Sequence, residues 1–146
     1  MTYDDKDLNW IAGFFDGEGS VGLYHQKERP TQLRSGGRAR HVLTLTITNT
    51  NRDVLDWVSM LFGGVVGQHG GCNMPCDRWR LTGRDKQREF LTRMLPFLRI
   101  KKSQAEYALQ YLDTVLDDGL GYAPTPEAVL ARRSSLTQLI KEEKRK

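Results

Sequence analysis

Apolar residues recur at two different spacings in different segments of the chain, and these spacings predict its secondary structure. After Asp7, which we expect to cap the first helix, apolar residues recur every three or four positions until the glycines at 17 and 19. In residues 40–48 they recur at every second position, which is typical of a strand. The same patterns predict further strands at 20–29, 65–69 and 77–82, and further helices at 51–62, 85–95, 103–116 and 126–141.

Two of the predicted strands have one apolar face and one polar face. The residues expected to point into the core are Leu43, Leu45, Ile47, Trp79 and Leu81. The residues that alternate with them are Val42, Thr44, Thr46 and Thr48 in one strand and Arg78 and Arg80 in the other. A sheet with one packed face and one face rich in arginine and threonine can lie in the major groove of DNA.

The order of the elements predicts the fold class. It is α-β-β-α-β-β-α followed by two more helices, so we expect an α+β fold in which helices cover one face of an antiparallel sheet. The 146 residues suit a single domain over 1–146, with a core at about 7–102 and C-terminal helices at about 103–143. Thr125 and Pro126 are expected to start the last helix as its cap and first residue. The lysine-rich tail after residue 141 is expected to be frayed.

Composition restricts the cellular location that we expect for the protein. No apolar run has the length of a membrane span, and the acidic N-terminus lacks the features of a secretion signal. We therefore expect a soluble intracellular protein with no membrane partner, in a bacterial, phage or organellar compartment that the sequence does not identify. Two cysteines are too few for a disulfide framework. Cys72 and Cys76 form the pattern H-x2-C-x3-C with His69, which lacks a fourth zinc ligand, so two reduced thiols are expected.

Basic residues are concentrated in the middle of the chain. Residues 20–102 contain fifteen Lys or Arg and six Asp or Glu, a net charge of +9, and the rest of the chain carries −5, which together give the overall +4. Fourteen of the 22 basic residues are arginine, the side chain suited to bidentate contact with guanine and phosphate. This distribution favours a polyanionic partner over a merely solvated basic surface.

The strongest motif lies at the end of the first helix. Residues 11–20 read IAGFFDGEGS, which resembles the LAGLIDADG motif of homing endonucleases. The resemblance extends over the α-β-β-α-β-β-α order to about residue 102 and includes LPFLRIK at 95–101, which looks like the family's stretch before its catalytic lysine. It implies the family's saddle-shaped antiparallel sheet, which binds double-stranded DNA. Because only one copy of the motif is present, it also implies a homodimer.

The resemblance assigns a metal site to the end of this helix. A carboxylate at a helix C-terminus is disfavoured by the helix dipole, so Glu18 needs another role or is merely a surface residue. In the family this position, more often Asp, binds the catalytic metal, and the carbonyl of Gly17 is a second candidate ligand. Hard oxygen ligands suit Mg²⁺, which promotes hydrolysis of the phosphodiester. Asp16 is expected to bond to backbone near the helix crossing.

Three further catalytic candidates follow from the resemblance. Lys101 matches the basic residue near the scissile phosphate, although alone it can be read as a solvated lysine. Asn49 lies where the family often has a polar residue that positions water, or it caps the approach to the following helix. Arg52 is a candidate for the arginine that the family has in this region, although the sequence does not fix the register of the match there.

Alternation predicts the DNA-contacting residues. Those expected on the outer face of the strands are Tyr24, Gln26, Arg40, Thr44, Thr46, Arg78 and Arg80. Those expected to contact phosphates or outer bases from the first hairpin are Lys27, Arg29, Arg34 and Arg38. Gln68 and His69 are both candidates, because either register of the third strand is compatible with the sequence. The residues expected at the dimer interface are Ile11, Ala12, Gly13, Phe15 and Asp16.

These assignments predict a sequence-specific endonuclease. The resemblance implies a Mg²⁺-dependent, staggered double-strand break in a long near-palindromic site and a role in the homing of an intron or another mobile element. The alternative is a non-cutting binder with the same fold, either a splicing maturase that binds intron RNA or a transcription regulator.

Overall fold

The structure is a computed structural model that describes residues 2–27, 39–70, 74–115 and 126–146. Within these residues five helices and four strands follow one another in the predicted order. The elements are α1 (Asp5–Glu18), β1 (Gly19–Lys27), β2 (Ala39–Asn49), α2 (Arg52–Phe62), β3 (Val65–His69), β4 (Cys76–Leu81), α3 (Arg84–Met94), α4 (Lys102–Thr114) and α5 (Glu127–Lys144). The α+β fold is therefore confirmed.

Helix α1 begins about one turn earlier than the apolar period predicts. Asp4, not Asp7, is the N-cap: its carboxylate accepts from the backbone N–H of Asp7 at 2.9 Å. The carboxylate of Asp7 accepts in return from the backbone N–H of Asp4 at 3.2 Å, which completes a capping box. The prediction that Asp7 caps the helix is therefore wrong. The helix ends at Glu18, as the two glycines predict.

The boundaries of α2 agree with the sequence. Asn51 is its N-cap, and the side-chain oxygen of Asn51 accepts from the N–H of Val54 at 3.2 Å. Gly63 ends the helix at φ +83°, a conformation that favours glycine. The carbonyl of Gly63 accepts from the indole N–H of Trp79 at 2.8 Å, so the end of α2 is attached to the middle of β4.

The four strands form one antiparallel sheet in the order β1-β2-β4-β3. All helices contribute to a core that covers one face of this sheet. The inward residues of β2 and β4 are buried as predicted, because they pack against the aromatic and aliphatic side chains of α1, α2 and α3. The fully buried side chains at this junction include Ile11, Phe15, Leu45, Ile47, Leu55, Trp79, Leu81, Phe90, Leu91 and Met94.

Helices α4 and α5 pack against each other and against β1. Tyr111 of α4 donates its hydroxyl hydrogen to the carbonyl of His41 in β2 at 2.9 Å. Pro126 occupies the N-cap of α5 rather than its first helical position, and Thr125 lies outside the described residues. Helix α5 continues to Lys144. The prediction that the tail frays from about residue 141 is therefore wrong for residues 141–144, which are helical.

The expectation of reduced cysteines is also wrong. Cys76, the first residue of β4, is buried and disulfide-bonded. Cys72 is the only other cysteine of the chain, and it lies outside the described residues. No helix in the described part of the chain is both long enough and apolar enough to cross a membrane.

Candidate active site and nucleic-acid interface

Glu18 lies at the point where α1 passes directly into β1. It is the last residue of the helix, and its side chain is exposed. Within the described ranges its carboxylate makes no hydrogen bond or ion pair. A shallow cleft on one side of it is lined by Gly17, Gly19, Thr48, Asn49, Thr50, Met74 and Cys76. A second groove next to it is lined by Gly19, Ser20, Ile100, Lys101, Gln104, Glu143, Lys144 and Lys146.

Asp16 attaches the segment before α4 to the end of α1. The buried carboxylate of Asp16 accepts from the backbone N–H groups of Arg99, Ile100 and Lys101 at 2.8, 3.2 and 2.9 Å. Hydrogen bonds to a carboxylate are stronger than those between neutral groups. Asp16 was predicted to bond to backbone near a helix crossing. It does bond to backbone, but the backbone is that of residues 99–101 of the same chain.

This attachment places Lys101 beside Glu18. The Lys101 ammonium donates to the backbone carbonyl of Asp16 at 2.6 Å. Burial lowers the pKa of Lys101 from its ordinary value, and the negative charges of Asp16 and Glu18 act in the opposite direction. An ammonium that is partly desolvated and close to a free carboxylate is poised to interact with an anionic substrate.

Lys144 is a component of this site that the sequence did not predict. Its ammonium donates to the hydroxyl of Ser20 at 3.4 Å, although the residue lies at the last position of α5. Burial and the neighbouring charge of Lys101 lower the pKa of Lys144. The half-buried Lys101 and the exposed Lys144 therefore lie close together on one side of Glu18. The local pattern of the tail gives no signal of this, because only the packing of α5 on β1 brings Lys144 to Ser20.

Asn49 and Arg52 have different positions relative to Glu18. Asn49 lines the cleft with Glu18, and its side-chain oxygen accepts from the N–H of Asn51 at 2.8 Å. It therefore supports the start of α2 while bordering the site. Arg52 does not line the cleft. Its guanidinium pairs with Asp56 at 3.1 Å and with Asp77 at 3.3 Å.

The outer face of the sheet carries the predicted polar rows. Thr46 is paired with Arg80, and Thr48 with Arg78, so hydroxyls and guanidiniums alternate across β2 and β4. Tyr24 is 52% exposed, and its ring lies over Gly22, where a Cβ would be only 2.5 Å from a ring carbon. The glycine thus lets the tyrosine ring lie flat on β1. Thr44 faces the same side, and its hydroxyl donates to the carbonyl of Gly22 at 3.5 Å.

The register of β3 separates its two candidates. His69 is paired with Cys76, and Gln68 with Asp77. Paired residues of an antiparallel sheet point to the same side, so His69 shares the outer face with Arg78, and its imidazole contacts that side chain at 2.8 Å. Gln68 lies on the face of the sheet that carries the helices, so of the two candidates only His69 lies on the predicted DNA-binding face.

Part of the predicted DNA contact lies beyond what the structure describes. Arg29, Arg34 and Arg38 belong to the segment 28–38, which is outside the described residues. For three others the structure gives the backbone only, which is paired between β1 and β2; these are Gln26, Lys27 and Arg40.

The predicted dimer interface needs correction. Four of its five residues are buried in the protein's own core: Ile11, Ala12, Phe15 and Asp16. Gly13 is exposed, and no atom in the described part of the chain lies within 4 Å of the position where its Cβ would be. The exposed face of α1 also carries Trp10, which is 52% exposed and packs against Phe14 and Trp57. The face available to a partner is therefore Lys6, Asn9, Trp10, Gly13, Phe14 and Gly17.

The donor groups at the end of α1 suit a hard divalent cation. The free carboxylate of Glu18 and the backbone carbonyl of Gly17 are oxygen ligands of the kind that Mg²⁺ prefers. Within the described residues no group of three His, Cys, Asp or Glu side chains converges on a point. Within the described residues the chain thus contributes only a partial ligand set.

No protein-family model and no curated protein matches the chain. Solved structures do match. The homing endonuclease I-CvuI, in complex with DNA, superposes with a TM-score of 0.76 at 19% identity, over 93% of this chain and 80% of that one. The archaeal intron-encoded homing endonuclease I-Vdi141I, complexed with DNA, gives 0.75 at 21% identity, over 97% and 86%.

A third structure differs in length. The LAGLIDADG homing endonuclease I-SmaMI, bound to cleaved DNA, gives a TM-score of 0.73 at 16% identity and matches 98% of this chain, but this chain spans only 47% of that one. The motif at 11–20, the order of the elements and these superpositions agree with one another. The chain has the fold of the LAGLIDADG homing endonucleases.

Proposed function

We propose that the protein is a homodimeric, sequence-specific DNA endonuclease that makes a staggered double-strand break in a long, near-palindromic site. The observation that carries this proposal is the exposed carboxylate of Glu18, which has no hydrogen-bond partner among the described residues. It lies near the half-buried Lys101, at the edge of a face of arginine and threonine. This combination suits a site where a phosphodiester backbone passes the end of α1. Similarity to homing endonucleases solved with DNA supports it.

The residues of the site have separable roles in this proposal. Glu18 and the carbonyl of Gly17 hold a divalent cation such as Mg²⁺, which would supply Lewis-acid activation of the phosphate and of attacking water. Lys101, fixed by Asp16, places a positive charge where the scissile phosphate gains negative charge. Lys144 contacts a phosphate on the Ser20 side. Asn49 borders the opposite side and orients solvent.

A homodimer is the natural way to complete the site. Gly13 and Gly17 leave open space along the exposed face of α1, so the corresponding helix of a second copy can approach closely. Two Glu18 carboxylates would then meet at the two-fold axis. The match to about half of I-SmaMI is consistent with one chain supplying one half of a complete enzyme.

The proposed dimer determines the expected length and symmetry of the DNA site. Two sheets related by a two-fold axis read two half-sites of about one helical turn each, so the site spans roughly 20 base pairs. Such a long site makes cutting rare in any genome, which suits the homing of an intron or another mobile element. The competing function is binding without cutting, of intron RNA as a maturase or of DNA as a regulator.

The experiment uses a library of random duplexes and a set of matched variants. The protein is incubated with the library and Mg²⁺, and the cut ends are sequenced, for the wild type, Glu18→Gln and Glu106→Gln. Glu106 is an exposed carboxylate on α4 that lines neither of the two grooves beside Glu18, and it serves as the control. We expect Glu18→Gln to bind the selected duplexes but to cut them at least about 100-fold more slowly, because the cation loses its charged ligand.

Three outcomes would overturn the proposal. Equal cutting by the wild type and Glu18→Gln would show that the scission does not depend on this carboxylate. Binding without metal-dependent cutting by any of the proteins would favour the regulator, and tighter binding of structured RNA than of duplex DNA would favour the maturase.

A further inference from the structure

The side chain of Arg78 is held at two points on the outer face of the sheet. Its Nε–H donates to the hydroxyl of Thr48 on β2 at 3.2 Å. Its Nη2 lies 2.8 Å from Nε2 of His69 on β3. The guanidinium thus bridges three adjacent strands, with β4 in the middle. Few surface arginines are fixed in this way, because a long side chain loses rotamer freedom when it is ordered.

The chemistry of the three groups fixes the direction of both hydrogen bonds. A guanidinium has five N–H donors and no acceptor, so Nε2 of His69 must accept and the imidazole must be neutral. Two of the five donors are used by Thr48 and His69. The remaining three are the two hydrogens on Nη1 and one on Nη2, and this end of the fork is the edge that binds O6 and N7 of guanine.

The surroundings leave that edge accessible. Gly67 of β3 is paired with Arg78, and no atom of the described residues lies within 4 Å of the position where the Cβ of residue 67 would be. Arg78 itself is only half-buried. The described residues therefore leave space above Gly67, next to Arg78 on the face where the proposed DNA would lie.

Arg80 provides a contrast on the same strand and face. It is exposed and is paired with Thr46 and with Val65. Within the described residues its side chain makes no hydrogen bond or ion pair. Arg80 must therefore be ordered when a ligand binds, whereas Arg78 is ordered beforehand, and ordering a side chain on binding weakens affinity.

We propose that His69 and Thr48 hold Arg78 in the orientation that reads a guanine in the major groove, so that His69 is a positioning residue and not a direct base reader. The inference rests on the proposed binding of DNA to the outer face. It predicts that each half-site has one guanine whose recognition depends on three residues of the protein.

The test measures binding preference in Ca²⁺ without relying on cleavage. Random duplexes are selected by the wild type and by five variants: Arg78→Ala, His69→Ala, His69→Gln, Thr48→Val and Arg80→Ala. We expect Arg78→Ala to lower the preference for guanine at one position per half-site by about tenfold or more. His69→Ala should reduce the preference at the same position, and His69→Gln should restore much of it, because a glutamine oxygen can accept from Nη2.

The controls separate this inference from its alternatives. Thr48→Val should weaken the same preference, whereas Arg80→Ala should affect another position and leave this one unchanged. Thermal unfolding of each variant identifies any general loss of stability. If the wild type selects no sequence at all, the proposed function has failed; if it selects a site but His69→Ala keeps the full guanine preference of the wild type, only the positioning role is wrong.

Discussion

Helix α1 has two apolar faces that the protein uses differently. One face carries Ile11 and Phe15, which are fully buried in the core of the same chain. The other carries Trp10 and Phe14, which are exposed or half-buried around an open Gly13. Both faces are hydrophobic, so hydrophobicity alone does not distinguish a residue that stabilises the subunit from one that serves a partner. The difference lies in what already covers each face.

The largest expected effect comes from the buried face. Phe15 is fully buried and packs edge-to-face on Phe90 with ring centroids 5.3 Å apart. Phe15→Ala should lower the free energy of unfolding by about 3–5 kcal/mol, because it leaves a cavity in the core. The neighbouring Phe14→Ala serves as the control and should cost less than about 1 kcal/mol in the subunit. Chemical unfolding at a low protein concentration measures both, and equal losses would contradict the division between the faces.

The second-largest expected effect on stability comes from Asp16, at the polar end of the buried face of α1. Asp16→Asn keeps the shape of the side chain but replaces one carboxylate oxygen by an amide group, which cannot accept from the backbone N–H groups of 99–101. We expect a loss of roughly 1.5–3 kcal/mol in stability and a fall in cleavage rate, because the position of Lys101 depends on this contact. Asp5→Asn, on the exposed start of the same helix, is the matched control. A variant as stable and active as the control would show that Asp16 is dispensable.

The smallest expected effect on the subunit comes from the exposed face. Gly13→Leu has open space for its side chain and gains helix propensity, so the subunit should be as stable as before or more stable by up to about 1 kcal/mol. The added side chain should nevertheless hold two α1 helices apart. Analytical ultracentrifugation with and without DNA should therefore find a monomer. A dimer of unchanged affinity would place the interface elsewhere.

The sequence predicted the elements whose signals are local. The period-2 pattern of β2 identified Leu43, Leu45 and Ile47 as core residues, and the glycine after α2 marked its end. The motif at 11–20 predicted that Glu18 stands at the end of α1, and the structure has it there with an exposed side chain; its role as a metal ligand stays a prediction. In each case a few neighbouring residues carry the whole signal.

The remaining features depend on residues that are distant along the chain. The register of β3 is set by Val66 packing on the core, which is visible only when β4 is in place. Lys144 reaches Ser20 because α5 packs on β1, and a tail of six charged or polar residues contains no sign of that contact. The capping box of α1 needs both Asp4 and Asp7, and the apolar period gave only the second.

The contact between Asp16 and residues 99–101 limits how far the acidic motif can be transplanted. The partners of this carboxylate are 83 to 85 positions later in the chain. A fragment that contains the motif and all four strands but stops before residue 99 would lack the three backbone donors of this carboxylate. Grafting the ten residues onto another scaffold would meet the same obstacle, so the transferable unit is the helix together with the loop that satisfies it.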